Sequence, residues 1–313
     1  MRAGGRTVKC THSVVVLVLF LSFSANLFAQ TTAGEELNLG VQAYKQSRFE
    51  EAIQHFEKCV ALAPENTNAH LYMATAYAEE YIPGADTPEN NHYGEQAIEQ
   101  YKQVLQVDPR NINSIKGIAY LYLQMKKFDL AKEYYKKASE VDPNDPEPYY
   151  SVAVIDWTQT YVPRQEERAK LGMKPDEALP AKDKKVCGTI RERNTANVQE
   201  GIDNLNKAIQ LRPDYDDAMA YLNLMYRERA DIQCDDPAAR AADLKTADEW
   251  VDKTMATKKA KAEKQPAGGI VMDQNSKIFS FVWGRAPRPS SRARVPGSPP
   301  ASSYRQHTLH SHR

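Results

Sequence analysis

The sequence predicts an all-α fold of stacked helix-turn-helix hairpins, and three observations carry the prediction. Pro64, Pro109, Pro143 and Pro213 each close a helical pattern, and 34 residues separate Pro109 from Pro143. That is the length of one helix-turn-helix repeat unit. The other two intervals, 45 and 70 residues, are one such unit with 11 or 36 residues inserted. Within each interval small residues recur where two antiparallel helices would meet, with aromatics or leucine following at helical spacing. A hairpin of this size cannot bury its apolar face alone, so about five of them must stack into a solenoid over residues 30–264.

The first 29 residues are of another kind. Arg2, Arg6 and Lys9 precede an apolar run over residues 14–23 that leads to Ala29. A basic start, a short apolar stretch and a small-residue exit predict a secretory signal peptide cleaved after Ala29. The run is short of the roughly 20 residues that span a bilayer. An exported mature chain is therefore expected, with an uncleaved anchor as the alternative. Cys10 precedes the apolar run and so cannot be the lipid-bearing cysteine of a lipoprotein.

Unit one covers residues 33–66. Leu39, Gly40 and Tyr44 mark its first helix, Ser47 and Arg48 the turn, and Ala52, Phe56, Cys59 and Leu62 the second helix. Gly40 and Ala52 permit close approach, and Leu39, Phe56 and Leu62 are expected in the seam. Unit two keeps Met73, Ala74, Tyr77, Ala97 and Tyr101, with its insertion near residues 81–96. Within that insertion Pro83-Gly84 signals a turn, and Thr87-Pro88 reads as an N-cap followed by proline at the first helical position. Unit three, residues 112–143, has standard length.

Unit four keeps Val152, Ala153, Gly201, Leu205 and Ala208 around an insertion near residues 161–196. There, residues 164–171 predict a short separate helix stopped by Gly172, and a long helical pattern begins near Lys182. Unit five follows through Met219, Leu222 and Tyr226. Asp236-Pro237 then opens a long second helix whose charged, alanine-rich end suits a solvated capping helix. Beyond residue 265, Pro, Ser, Arg and His dominate. That composition cannot bury a core and predicts a disordered basic tail, unless the loss of every acidic residue from 274 onward marks an out-of-frame reading.

The chain holds 41 basic and 41 acidic residues, but the balance is uneven. Residues 1–29 hold three basic side chains and residues 274–313 seven, with no acidic ones in either segment, which leaves 31 basic against 41 acidic between. Phosphate binding needs a concentrated positive surface, so an acidic body argues against a nucleic-acid partner. It favours cationic or neutral ones.

Chemistry is sparse. Between the two ends no His pair stands three or four apart and no Cys pair has metal-ligand spacing. His307, His310 and His312 of the tail could hold a metal only loosely. G-x-S-x-G, Gly-rich phosphate loops and H-E-x-x-H are missing from the sequence. No catalytic residue, metal or cofactor is therefore assigned. The carboxylates of residues 214–217 read first as helix caps and dipole complements. Residues 156–161, DWTQTY, mix aromatic rings, hydroxyls and an amide, which fits a local hydrogen-bond network better than a pocket. Of the three cysteines after Ala29, Cys59 sits at a packed small-residue position. Cys187 and Cys234 fall between the helices of neighbouring units on one edge, where a disulfide between them and two free thiols are both open.

Residues 39–64, LGVQAYKQSRFEEAIQHFEKCVALAP, resemble the tetratricopeptide repeat family nearly throughout. Unit three does so as well, through Ile118, Ala119, Tyr122, Phe128, Ala131, Tyr135, Ala138 and Pro143. The resemblance implies a right-handed superhelix whose concave groove is lined by first helices and holds a protein or peptide partner. In unit one that wall would include Val41 and Tyr44, and in unit two Leu71, Thr75 and Ala78. Lys116, Tyr120 and Leu123 would follow, then Tyr150, Val154 and Trp157, and finally Leu224 and Arg227. The family's groove for a terminal carboxylate would need Leu37, Val41, Tyr72, Asn113 and Gly117 to act, and only Asn113 carries a suitable amide. The expected function is a non-enzymatic binding scaffold. The alternatives are a structural part of an envelope assembly, or an enzyme with a pocket beneath the unit-four insertion.

Overall fold

The computed structural model describes residues 31–173, 184–233 and 235–264, and the described residues are helical with short turns. The segments expected to be a signal peptide and a disordered basic tail lie outside them. The chain divides into two compact units, one ending at Glu80 and the other beginning at Tyr81.

The first unit holds α1 (Ala33–Lys45), α2 (Phe49–Leu62) and α3 (Thr67–Glu80). Thr32 opens α1 with a capping box: its hydroxyl accepts from the Glu35 N–H, and its own N–H donates to the Glu35 carboxylate at 2.8 Å. Ser47 ends the helix in the left-handed region at φ 57°. Phe56 is fully buried and its ring stacks 5.8 Å from that of Tyr72. The ring lies over Gly40, where a Cβ would collide with it. Leu39 and Leu62, expected in the same seam, are 40% and 44% exposed, because both fall on the flanks of the apolar stripe. Cys59 is a free, buried thiol.

The second unit holds α4 (Pro88–Val107), α5 (Ile112–Gln124), α6 (Phe128–Val141), α7 (Pro146–Lys170), α8 (Lys184–Leu211), α9 (Asp216–Ile232) and α10 (Pro237–Lys264). Each helix packs on the next, and α7 also packs directly on α9. The predicted start of α4 is found: Thr87 caps it through the Asn90 N–H, and Pro88 is its first residue. Asn90 in turn ties down the preceding loop through the Ile82 and Ala85 backbone. Asp236 caps α10 at the Ala238 and Ala239 N–H groups, with Pro237 behind it.

The unit-four insertion differs from expectation. No separate helix begins at residue 164, because α7 runs 25 residues without a break through Pro163. An internal proline removes one backbone hydrogen bond and costs about 3 kcal/mol. Arg164 and Arg168, just beyond it, are buried and bond Glu228 and Asp231 of α9, and Asn194 of α8 donates to the Thr160 carbonyl. These contacts hold the extended turn in place. Gly172, at φ 64°, then ends it.

Cys187 on α8 is disulfide-bonded. One turn on, Arg191 donates to the Ile232 carbonyl at 2.8 Å and pairs with Asp235. Cys234 lies outside the described residues, and we propose it as the partner, since residues on both sides of it bond Arg191. A non-reduced digest is expected to yield a peptide linking Cys187 to Cys234. Reduction is expected to lower stability by about 2–4 kcal/mol, and alkylation of both thiols without reductant would remove the assignment.

Candidate functional site

The first helices of the hairpins in the second unit, α5, α7 and α9, carry most of the residues expected to meet a partner. Asp145 caps α7 and Pro146 is its first residue, which sets Glu147 in the opening turn. Lys116 of α5 reaches across to Asp145 at 3.0 Å and also pairs with Glu147. Burial works against the Lys116 ammonium, but the two carboxylates outweigh it and hold its pKa above the ordinary lysine value. Lys116 is thus occupied as a tie between α5 and α7.

Beyond that tie the face is aromatic. Trp157 and Tyr161, one turn apart on α7, stack at 4.8 Å with 24° between the rings. Tyr221 of α9 meets Trp157 edge-on at 5.5 Å. Trp157, Tyr161, Tyr120 and Leu224 are all half-buried, so their outer surfaces are presented. Arg227, at the end of the face, pairs with Asp248 of α10.

Four residues assigned to this wall, Tyr150, Val154, Tyr44 and Thr75, are buried instead. Tyr150 is 4% exposed, enclosed by the rings of Tyr215 at 5.0 Å and Tyr221 at 5.6 Å. Val154 is also buried, because direct packing of α9 on α7 covers their shared flank. In the first unit Tyr44 is 8% exposed, lying between Phe49 and Tyr72. Burial, followed by the nearby Glu79, pushes its phenol above the usual tyrosine range. Thr75 is buried and donates to the Leu71 carbonyl, while Val41, Leu71 and Ala78 are half-buried.

On another side of the second unit a cleft of about 430 Å³ lies between α6, α7 and α8, lined by Asp129, Lys132, Lys136, Gln159 and Asn197. At its edge Lys132 joins three helices, bonding Asp156 of α7 at 2.5 Å and Glu200 of α8 at 2.7 Å. Asp156 is fully buried and its second carboxylate oxygen has no partner. The DWTQTY segment therefore divides: Asp156 serves a buried ionic tie, and Trp157 and Tyr161 form the open aromatic face. Sequence reasoning missed Lys132 and Glu200, whose only signal was charge placed beside the small packing positions Ala131 and Gly201.

Burial pushes the Asp156 carboxyl up to about 7, against the pull of Lys132. The folded chain then keeps a proton that an unfolded aspartate releases near pH 4. Stability supplied by this group is present at low pH and falls as pH rises from about 4 towards 7. In Asp156→Asn that contribution is gone, so the unfolding free energy is expected to decline less steeply over the interval. Identical slopes in denaturation series of the two proteins would contradict this placement.

Comparison with known proteins agrees with the architecture. Tetratricopeptide repeat families match residues 37–66 and 94–154. No curated protein matches the chain. Among solved structures, a crystal structure of MamA protein is similar over 76% of this chain and 97% of its own, with 13% identity and a TM-score of 0.51. A MamA RS-1 double mutant is similar over 74% of this chain and 97% of its own, with 16% identity and a TM-score of 0.50. At such identity the likeness speaks for the fold alone. The chain thus carries tetratricopeptide repeats in both units, on all-helical hairpins closed by proline, a helical-repeat fold that supports a scaffold for protein interaction.

Proposed function

We propose that the chain binds an extended segment or helix of a partner protein on the face of α5, α7 and α9, and that it acts there as a scaffold without catalysis. The observation that carries this is the half-open stack of Trp157 on Tyr161, braced by Tyr221. Rigid rings offer large contact area at small entropic loss, and such rings dominate binding energy where a partner covers them. Tyr120 on α5 extends the same surface. The working compartment is proposed to lie outside the cytosol, on the strength of the basic-apolar N-terminal segment and the disulfide at Cys187.

A panel of peptides displayed on a surface tests the binding reading. Wild-type protein is expected to select a subset of them. Tyr120→Ala or Tyr161→Ala is expected to weaken that binding about tenfold or more, with the thermal midpoint little changed. Retained binding in both variants would overturn the assignment of this face.

A further inference from the structure

We infer that the segment this face accepts is basic: a partner stretch whose Arg or Lys side chain lies against the Trp157 ring, where Tyr221 meets it, with its charge towards Asp217. The inference rests on the binding reading above and adds the partner's chemistry to it.

The carboxylates around the aromatic cluster are unequally matched. Asp145 and Glu147 share one cation, Lys116. Asp216 and Asp214 share another, Lys261, at 2.5 and 3.8 Å. Arg212 lies over the Tyr215 ring, 4.3 Å from its centre. Asp217 is left over. It is half-buried in the first turn of α9, one helical turn before Tyr221, and among the described residues it makes no hydrogen bond or ion pair. With Lys258 also acting on Asp216, five carboxylates thus stand against four cations around this group of rings, and Asp217 is the one without a paired cation. The phenols register this imbalance. Burial raises the pKa values of Tyr150 and Tyr221 first, and the charge of Asp217 raises both further.

An acidic residue in a first turn complements the helix dipole, and Asp217 does so. Dipole complement alone leaves unanswered the charge beside Tyr221, the ring that meets Trp157 edge-on. A ring face attracts a cation, and a nearby carboxylate adds to that attraction. The protein already uses this pairing internally: the Arg164 guanidinium lies 5.5 Å from the centre of the Tyr161 ring, and Lys253 lies 4.1 Å from that of Trp250. Charge complementarity acts in the same direction over longer range, since the sequence between the two basic ends carries 31 basic against 41 acidic residues.

The test uses the full chain and two fluorescent 15-residue peptides of one proline- and serine-containing backbone, one with four arginines and the other with glutamates in their place. Anisotropy titrations at low and physiological salt are run on wild type, Asp217→Asn, Asp217→Glu and Tyr161→Ala. The arginine peptide is expected to bind at least tenfold tighter than its acidic twin and to weaken with salt. Asp217→Asn is expected to remove most of that preference and Asp217→Glu to restore it, while Tyr161→Ala weakens binding. Twins that bind equally, with Tyr161→Ala weakening both, would overturn the basic-partner inference and leave the binding face standing. Arginine-peptide binding that Asp217→Asn does not change would also overturn it, placing the charge preference on another surface. Binding of neither twin that depends on Tyr161 would overturn the inference and count against the face itself.

Discussion

Arg164→Met is expected to destabilise the second unit by about 3–5 kcal/mol, the loss typical when one partner of a buried ion pair is removed. Arg164 is buried and its guanidinium serves two acids of α9, donating to Glu228 at 2.8 Å and pairing with Asp231. Arg168, one turn on and 2% exposed, reaches Asp231 at 3.1 Å and pairs with no second acid among the described residues. With Arg164 gone, Glu228 loses the cation that offsets its desolvation. Burial already pushes the Glu228 carboxyl up to about 7 with that cation in place. Its pKa in the variant is higher still, so the folded chain keeps a proton to higher pH than wild type does. The sign follows from linkage: the stability contributed by this proton is lost with rising pH, and in the variant that loss continues beyond the wild-type value. The deficit therefore widens between pH 6 and pH 8. Replacing Arg164 and Glu228 together by apolar residues is expected to recover much of it, since no unpaired charge remains. Urea unfolding followed by α7 and α9 amide exchange measures all three proteins. A deficit under about 1 kcal/mol, or one flat with pH, would show that the cluster contributes little.

Phe56→Ala is expected to cost the first unit about 3–5 kcal/mol. Among the described residues that unit has three helices, and Phe56 is its fully buried ring, set between Gly40 and the Tyr72 ring. Removal leaves a cavity that the glycine has no side chain to fill. Enlarging the other partner fails for the opposite reason: Gly40→Leu places carbon where the Phe56 ring stands, and overpacking costs about 1–3 kcal/mol. The two changes made together should recover part of both losses. Because the chain has two compact units, one global midpoint is a poor reporter. Amide exchange within α1, α2 and α3 reads the effect directly. Undiminished protection there in Phe56→Ala would contradict the packing described.

The hairpins were legible in the sequence because their chemistry is local. Proline closures, Gly40 against Phe56 and the Thr87-Pro88 and Asp236-Pro237 caps each declare themselves within a few residues. Two kinds of feature were not legible. The first is pairing between distant helices: Arg164 with Glu228 is a contact across 64 residues, and Lys132 with Glu200 one across 68. Charges in a helix read as a solvated face until the neighbouring helix is known. The second is the division of a helical face between open and covered positions. Repeat spacing puts Tyr150, Val154 and Trp157 on one wall, but direct packing of α9 on α7 covers the first two and leaves the third half-open. The run of α7 through Pro163 has the same origin, because the bonds that hold the turn beyond the proline come from α8 and α9.

The central claim is that the first helices of the second unit present the partner surface. Amide-exchange footprinting of the full chain with and without a selected bound peptide tests it most directly. The account predicts new protection over residues 116–124, 154–161 and 217–227, on α5, α7 and α9, with Tyr161→Ala abolishing it. Protection confined to α6, α8 and α10, or to the cleft beside Lys132, would contradict it.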